Sequence, residues 1–254
     1  MSIKEEEILK ITSKGCKLVF DPIVEEYPVT LYLNQKRMIS LMCTPSSLKE
    51  LAVGFFYLKG MITAFDQISD IKIITKEHGS DLYIESKQPQ KPVEKDLFEL
   101  SEESIVLNHQ ISEKNQLNQN IEEVLVEYDM TLQRIFETMG TFSKKSELFV
   151  NTGGVHSIGL YRKTEPILFY DDVSRYNTYN KLFGGMIMKK IDPKGKMLLT
   201  TGRIPSEVMT WIIKNKIRCV LSISAPTHGS VQLARKNGVT LMGFVRENRL
   251  NIYA

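Results

Sequence analysis

Cysteine is scarce in this chain: Cys16, Cys43 and Cys219 are the only three in 254 residues, odd in number and far apart. That spacing builds neither a disulfide framework nor a cysteine metal site, so reduced thiols in a cytoplasmic protein are expected. Long apolar runs are absent too. No stretch of about 18 apolar residues occurs, and the charged start "MSIKEEEILK" lacks the apolar segment of a signal peptide. The chain is therefore expected neither to span a membrane nor to be exported by an N-terminal signal. Excess charge of one sign is also missing: 33 Lys and Arg against 30 Asp and Glu leave +3. Without a concentrated basic stripe there is no case for nucleic acid, and any anionic partner must be bound locally.

What is present is the composition of a folded protein, 42% hydrophobic and 25% charged. In the first part, "YPVTLYLNQKRMISLMC" reads as two short strands around an "NQKR" turn. "TPSSLKELAVGFFYLKG" then reads as a helix, with Ser46 or Ser47 and Glu50 forming a capping box. "IKIIT" and "DLYIES" read as further strands, which makes residues 1–101 an α+β unit. Residues 102–120, rich in Asn, Gln, Glu and Ser, read as a polar loop or linker with a short strand at "SIVL".

Residues 121–254 have a different rhythm. An amphipathic helix near Ile121 to Met139 is followed by the strands "SIGLY" and "PILFYDD" and a helix from about Ser174 to Lys189. The strand "KMLLTTG", the helix "SEVMTWIIKNK", the strand "RCVLSIS", a short helix in "GSVQLARKN" and the strands "TLMGF" and "RLNIY" complete the chain. Strands alternating with helices predict an α/β layer sandwich, parallel in its middle.

The segments "FYDDVSR", "LLTTGR" and "SISAPT" each lie where a buried strand ends and a helix is about to begin. In a sheet with parallel central strands such ends meet at one edge, where ligands bind. Asp171, Asp172, Arg175, Thr201, Gly202, Arg203, Ser224 and Thr227 are thus expected around one crevice. Helix N-termini there favour an anion such as phosphate, and Arg175 and Arg203 supply forked donors to it. The turn "NTGGVH" adds close backbone approach through Gly153 and Gly154. Single members have plainer readings: Ser, Thr or Asp before a helix is ordinarily an N-cap, and His156 reads equally well as a structural histidine. Cys43, Cys219, Met209 and Trp211 read as core.

Several blocks in order carry a family resemblance. "LKELAVGFFYLKGMI", "NTGGVHSIGL", "YDDVSRYNTYNKLFGG", "TTGRIPSEVM" and "SISAPT" followed by "LARKNGVTLMGFVRENRLNIY" resemble the successive blocks of the FdhD family, the formate dehydrogenase accessory sulfurtransferases. The resemblance implies a cytoplasmic homodimer. It also implies acceptance of sulfur from a cysteine desulfurase and its delivery to molybdopterin guanine dinucleotide of a molybdo- or tungsto-enzyme, formate dehydrogenase above all. A C-terminal domain like that of cytidine deaminases is implied with it. Asp172, Arg175, Asn177, Lys181, Gly202 and Arg203 match the family pattern. With Gly153, Gly154, His156, Ser224 and Thr227 they form the set expected to bind that cofactor or a guanine nucleotide.

One departure bears on chemistry. The family's Cys-x-x-Cys motif falls roughly at Ser101 to Asn120, where this chain has no cysteine, and a persulfide relay needs a thiolate. Cys16, between Lys14 and Lys17, is the alternative candidate thiol. A non-sulfurating accessory role and a diverged nucleotide-binding homologue are the other readings. Deamination is excluded, because the chain has neither a His-x-Glu or Cys-x-Glu nor a Pro-Cys-x-x-Cys to hold zinc.

Overall fold

In a computed structural model the described residues are 3–87 and 121–254, so the expected linker and its strand at "SIVL" lie outside them. The chain opens with β1 (Ile3–Thr12) and β2 (Gly15–Val24), a two-stranded antiparallel ribbon. Next come β3 (Tyr27–Leu33), β4 (Lys36–Cys43), α1 (Leu48–Leu58), a 3-10 turn Phe65–Gln67, β5 (Ile68–Lys76) and β6 (Gly79–Ser86). After the gap follow α2 (Ile121–Glu127), α3 (Leu132–Ser143), α4 (Glu147–Thr152), β7 (His156–Arg162), β8 (Glu165–Asp172) and α5 (Arg175–Met188). Then come β9 (Met197–Thr200), α6 (Ser206–Lys214), β10 (Cys219–Ser222), α7 (His228–Lys236), β11 (Thr240–Arg246) and β12 (Arg249–Ile252).

The result is a mixed α/β protein with three sheets. Strands β4-β3-β6-β5 make a four-stranded sheet, and β12-β11-β10-β9-β7-β8 make a six-stranded one. In the larger sheet β9, β10 and β11 are parallel, as the strand-helix alternation predicts. Because β7 runs antiparallel to both β8 and β9, the C-terminal ends of β8, β9 and β10 lie at one edge together with the start of β7.

The cores define the layers. On one face of the six-stranded sheet Val124, Ile135, Met139 and Phe142 of α2 and α3 cover Met197, Leu199, Cys219 and Leu221. On the other, Tyr179, Leu182 and Phe183 of α5 and Val208, Met209 and Ile212 of α6 cover Ile158, Leu198 and Val220. A third core joins α1 to the smaller sheet through Leu51, Phe56, Leu31, Leu33, Leu82 and Ile84, with Ile187 and Met188 of α5 packed against it. Helix α5 is thus buried on two sides, and its residues from Asn177 to Met186 are all interior.

The α1–α5 crossing is set by two glycines. A Cβ on Gly54 would stand 1.7 Å from the carbonyl oxygen of Asn180, and one on Gly184 would stand 2.0 Å from that of Glu50. Backbone meets backbone there, which only glycine permits.

Three sequence expectations change. The helix expected from Ile121 to Met139 is two helices, because Asp129 takes a left-handed φ of 51° and Thr131 caps α3 by accepting from the Arg134 N–H. The capping box on α1 does not form: Ser47 is left-handed at φ 53° and its side chain makes no cap hydrogen bond. The β1–β2 ribbon was not expected, since its Glu- and Lys-rich strands lack the polar-apolar bounds of a buried strand. The "NQKR" turn is as expected, with Asn34 and Gln35 both at positive φ, 47° and 63°, the geometry of a two-residue hairpin loop.

Candidate functional site

The edge where β8, β9 and β10 end gathers the N-termini of α5, α6 and α7. Two turns there are locked by short side chains. Thr200 Oγ1 accepts from the Gly202 N–H at 3.1 Å, while Ser222 Oγ donates to the Gly202 carbonyl at 2.8 Å and accepts from the Ser224 N–H at 2.9 Å. The loops after β9 and β10 also pair directly, Ile204 N–H to Ala225 O at 3.2 Å and Thr227 N–H to Ile204 O at 3.0 Å. Gly202, Arg203, Ser224 and Thr227 are therefore held on one rigid rim. Arg203 is exposed there, and Thr227 caps α7 by accepting from the Ser230 N–H at 3.4 Å.

A cavity of about 360 Å³ opens beside this rim, lined by Phe149, Gly153, Gly154, His156, Val173, Thr201 and Ile223 among others. Its walls are mainly apolar, with Ser143, His156 and Thr201 as polar groups, His156 Nδ1 lying 3.4 Å from Thr201 Oγ1. Burial and then the charge of Arg175 hold the His156 imidazole below its usual pKa, so it is neutral at pH 7. Gly153 ends α4 in the left-handed conformation at φ 65°.

Arg175 lies against Gly202 of the rim and near His156 of the cavity wall. Its guanidinium stacks 5.1 Å from the centroid of the Tyr176 ring, and its Nε is buried without a hydrogen-bond partner. Gly202 makes room for it, since a Cβ there would lie 2.7 Å from Arg175 Cδ.

Asp172, Asn177 and Lys181 have a different setting. Asp172 and Lys181 form an ion pair at 2.7 Å with both side chains wholly buried. Asp172 Oδ2 also accepts from the N–H and hydroxyl of Thr44, while Oδ1 accepts from the Ser174 N–H and Asn177 Nδ2. Lys181 Nζ donates further to Thr44 Oγ1 at 2.7 Å and Asp171 O at 2.9 Å, and Asn177 Nδ2 donates to Met42 O at 2.8 Å. The three side chains thus tie the start of α5 to the segment after β4, from beneath the rim. Asp171 accepts from Ser146 Oγ at 2.5 Å, which holds α4 to the end of β8.

A model of the FdhD/NarQ family matches residues 24–254. The chain belongs to that family. Among curated relatives, the sulfur carrier protein FdhD of Listeria innocua is 29% identical over 259 residues, covering 99% of this chain and 97% of its own. That of Halalkalibacterium halodurans is 27% identical over 257 residues, covering 97% and 92%. A crystal structure of a candidate formate dehydrogenase accessory protein from Desulfotalea psychrophila superposes with a TM-score of 0.76 at 20% identity, covering 100% of this chain and 97% of that one. It has the same fold.

Within this FdhD/NarQ member the thiols are far from equivalent. Cys43 and Cys219 are buried and Cys16 is exposed. Burial, with the charge of Asp172 next, pushes the Cys43 thiol up to about 12, and burial likewise raises that of Cys219. Both are protonated and shielded. Cys16 sits at the far end of the ribbon, eight residues beyond Val24, or roughly 26 Å at 3.3 Å per residue. Among the described residues no group of three or more His, Cys, Asp or Glu is placed to hold a metal, and no helix is long and apolar enough to cross a membrane.

Sequence reasoning missed Thr44, Ser146 and Ser222. Thr44 meets Asp172 across 128 positions of sequence, and no local signal marks that pairing. Ser222 was within reach, as the hydroxyl at the end of a buried strand.

Proposed function

We propose that this chain is an accessory protein for formate dehydrogenase or a related molybdo- or tungsto-enzyme, and that it binds the guanine dinucleotide portion of the pterin cofactor at the edge of its six-stranded sheet. The observation that carries this is the placement of Arg175. A partly buried guanidinium with an orphaned Nε, over a glycine that leaves room for it, lies against the rim of helix N-termini and near His156 of the apolar cavity. Such an arrangement suits a ligand with a flat heterocycle at one end and phosphate at the other.

In this reading the heterocycle enters between Phe149 and Ile223, where neutral His156 and Thr201 offer hydrogen bonds. Arg175 and the exposed Arg203 face the phosphates, and the N–H groups opening α6 and α7 add partial positive charge. When bound, the cofactor supplies the metal centre. Asp172, Asn177 and Lys181 contribute by fixing where α5 begins, and hence where Arg175 points. The cytidine-deaminase-like architecture belongs to the same reading, without its zinc chemistry.

Curated relatives are named sulfur carriers, but residues 101–120 of this chain hold no cysteine, and Cys43 and Cys219 are buried with raised pKa values. The reading favoured here is a cofactor-holding role without sulfur transfer. Exposure of Cys16 supports the alternative in which that thiol carries sulfur. Incubation with a cysteine desulfurase and cysteine, followed by native mass spectrometry, separates the two. Bound GDP without a sulfur adduct supports the first, and a sulfur adduct on Cys16 supports the second. Failure to bind GDP or GTP up to millimolar concentration in calorimetry would sink the site assignment.

A further inference from the structure

Helices α5 and α6 begin at the candidate site, and their other ends meet the end of α1 around a groove. All three helices close in the same way. Met61 N–H bonds to Phe56 O at 2.9 Å in α1, Ile191 N–H to Met186 O at 2.9 Å in α5, and Ile217 N–H to Ile212 O at 3.2 Å in α6. In this closure the residue after the cap is left-handed and ordinarily glycine. It is Gly60 in α1, Gly238 in α7 and Asp129 in α2, residue types that tolerate the conformation. In α5 and α6 it is a lysine instead, Lys190 at φ 50° and Lys216 at φ 58°. Both side chains are held against a local strain that glycine would relieve, and both line the groove.

The groove consists of two adjoining cavities of about 420 and 290 Å³ that share Tyr57, Thr63, Lys214 and Asn215. Tyr57 Oη donates to Asn215 Oδ1 at 2.9 Å and Asn215 Nδ2 to Trp211 O at 2.8 Å, which fixes the divide between them. Met186, Ile187 and Ile191 wall the larger cavity, and Leu58, Ile62 and Trp211 the smaller. The charged lining is Lys59, Lys190, Lys214 and Lys216 against Asp66. Asp66 meets Lys190 at 3.2 Å in a pair open to solvent and therefore screened, and Lys59 meets Glu207 at 3.7 Å. Lys214 and Lys216 are exposed, with no acidic partner among the described residues.

The floor decides which kind of anion fits. Three helix C-termini turn the negative ends of their dipoles into the groove, so a compact polyanion seated there meets carbonyl oxygens rather than N–H groups. An acidic peptide segment whose apolar side chains fill the cavities reaches the lysines at the rim without placing charge on the floor. We propose that this groove docks an acidic segment of a partner protein, with one large apolar side chain in each cavity and carboxylates on Lys190, Lys214 and Lys216. Strain at Lys190 and Lys216 is then stability given up at a binding surface. The 9 residues of α6, about 14 Å at 1.5 Å per residue, separate the groove from the candidate site, so a docked partner leaves that edge open. The docking surface stands whichever ligand the edge takes.

The test titrates the full chain with a fluorescein-labelled peptide of about twelve residues, bearing Leu and Phe on one side of a helix and Glu on the other, read by anisotropy. Saturable binding that weakens with salt is expected. The double variant Lys190→Gly, Lys216→Gly is expected to bind about ten-fold more weakly while melting at or above the wild-type temperature, and Lys214→Gln is expected to weaken binding by itself. No binding to the wild type, unchanged affinity in both variants, or affinity lost only together with melting temperature overturns the proposal. Equal binding of the same peptide with Lys in place of Glu, displacement by tripolyphosphate, or stronger binding to phosphatidylglycerol vesicles overturns it too, the last in favour of a membrane surface. Carbodiimide coupling is expected to join Lys214 to a peptide Glu; a link to the acidic run of residues 94–103 of the same chain would make the groove self-occupied and overturn the proposal. Saturating GDP is expected to leave the peptide's affinity unchanged, so failure of GDP to bind bears on the cofactor reading alone, whereas competition by GDP would merge the two sites and overturn this one.

Discussion

Lys181 Nζ lies 2.7 Å from Asp172 Oδ2 with neither side chain reaching solvent, and both atoms also touch Thr44 from the other half of the chain. A buried pair of this kind is worth little relative to an apolar replacement, but removing one partner leaves a stranded charge. Lys181→Met is therefore expected to cost about 3–5 kcal/mol in urea unfolding. Adding Asp172→Asn to it recovers part of that loss. A single variant within about 1 kcal/mol of wild type would show that water already reaches the pair.

The glycine crossing of α1 and α5 gives a sharper expectation. Gly54→Ala places a methyl 1.7 Å from the Asn180 carbonyl oxygen, where only backbone is available to move. The variant is expected to lose several kcal/mol, in the range of severe overpacking, and to be recovered largely as insoluble protein. A soluble variant with wild-type melting temperature would mean that the two helices separate without cost.

Arg203→Ala is expected to weaken GDP binding more than ten-fold, about 1.4 kcal/mol, measured by calorimetry. Gly202→Ala is expected to weaken it as well, because its methyl displaces Arg175. Unchanged affinity in Arg203→Ala would assign that side chain to the surface alone.

His156 makes stability fall in acid. Its pKa is lowered in the folded protein from the ordinary 6.5, first by burial and then by Arg175, so the unfolded chain binds its proton more readily than the folded one. The contribution is constant above pH 6.5 and stability is lost as pH drops below it. His156→Gln is expected to flatten the part of the profile that falls below pH 6.5, read from urea midpoints. An identical slope in the variant would remove His156 as its source.

Thiol reactivity sorts the three cysteines. One equivalent, Cys16, is expected to react with a disulfide reagent in the native protein at once, and Cys43 and Cys219 only on unfolding. Rapid reaction of two or three would show that a buried strand opens.

The α/β alternation after residue 121 was legible because each strand is a short apolar run and each helix begins at a polar boundary, and the strand-end clusters then followed from topology. The setting of Asp172, Asn177 and Lys181 was not legible. A charged pair reads from sequence as solvent-facing, and only the meeting of Thr44 with α5 removes it from water. The split at Asp129 escaped because Tyr128, Met130 and Ile135 keep an apolar spacing through a residue whose backbone reverses hand. The ribbon escaped because Leu9, Ile11, Leu18 and Phe20 are exposed rather than part of a core among the described residues, so no core pattern marks them.

The close approach of Gly54 to Gly184 also orders events during synthesis. Helix α1 leaves the ribosome well before α5, whose backbone at Asn180 and Gly184 is what Gly54 meets. Until Gly184 emerges, one side of α1 lacks its cover. The smaller sheet therefore completes its core, to which Ile187 and Met188 contribute, only when most of the protein has been made. A nascent chain halted before α5 is a client for chaperones rather than a finished lobe.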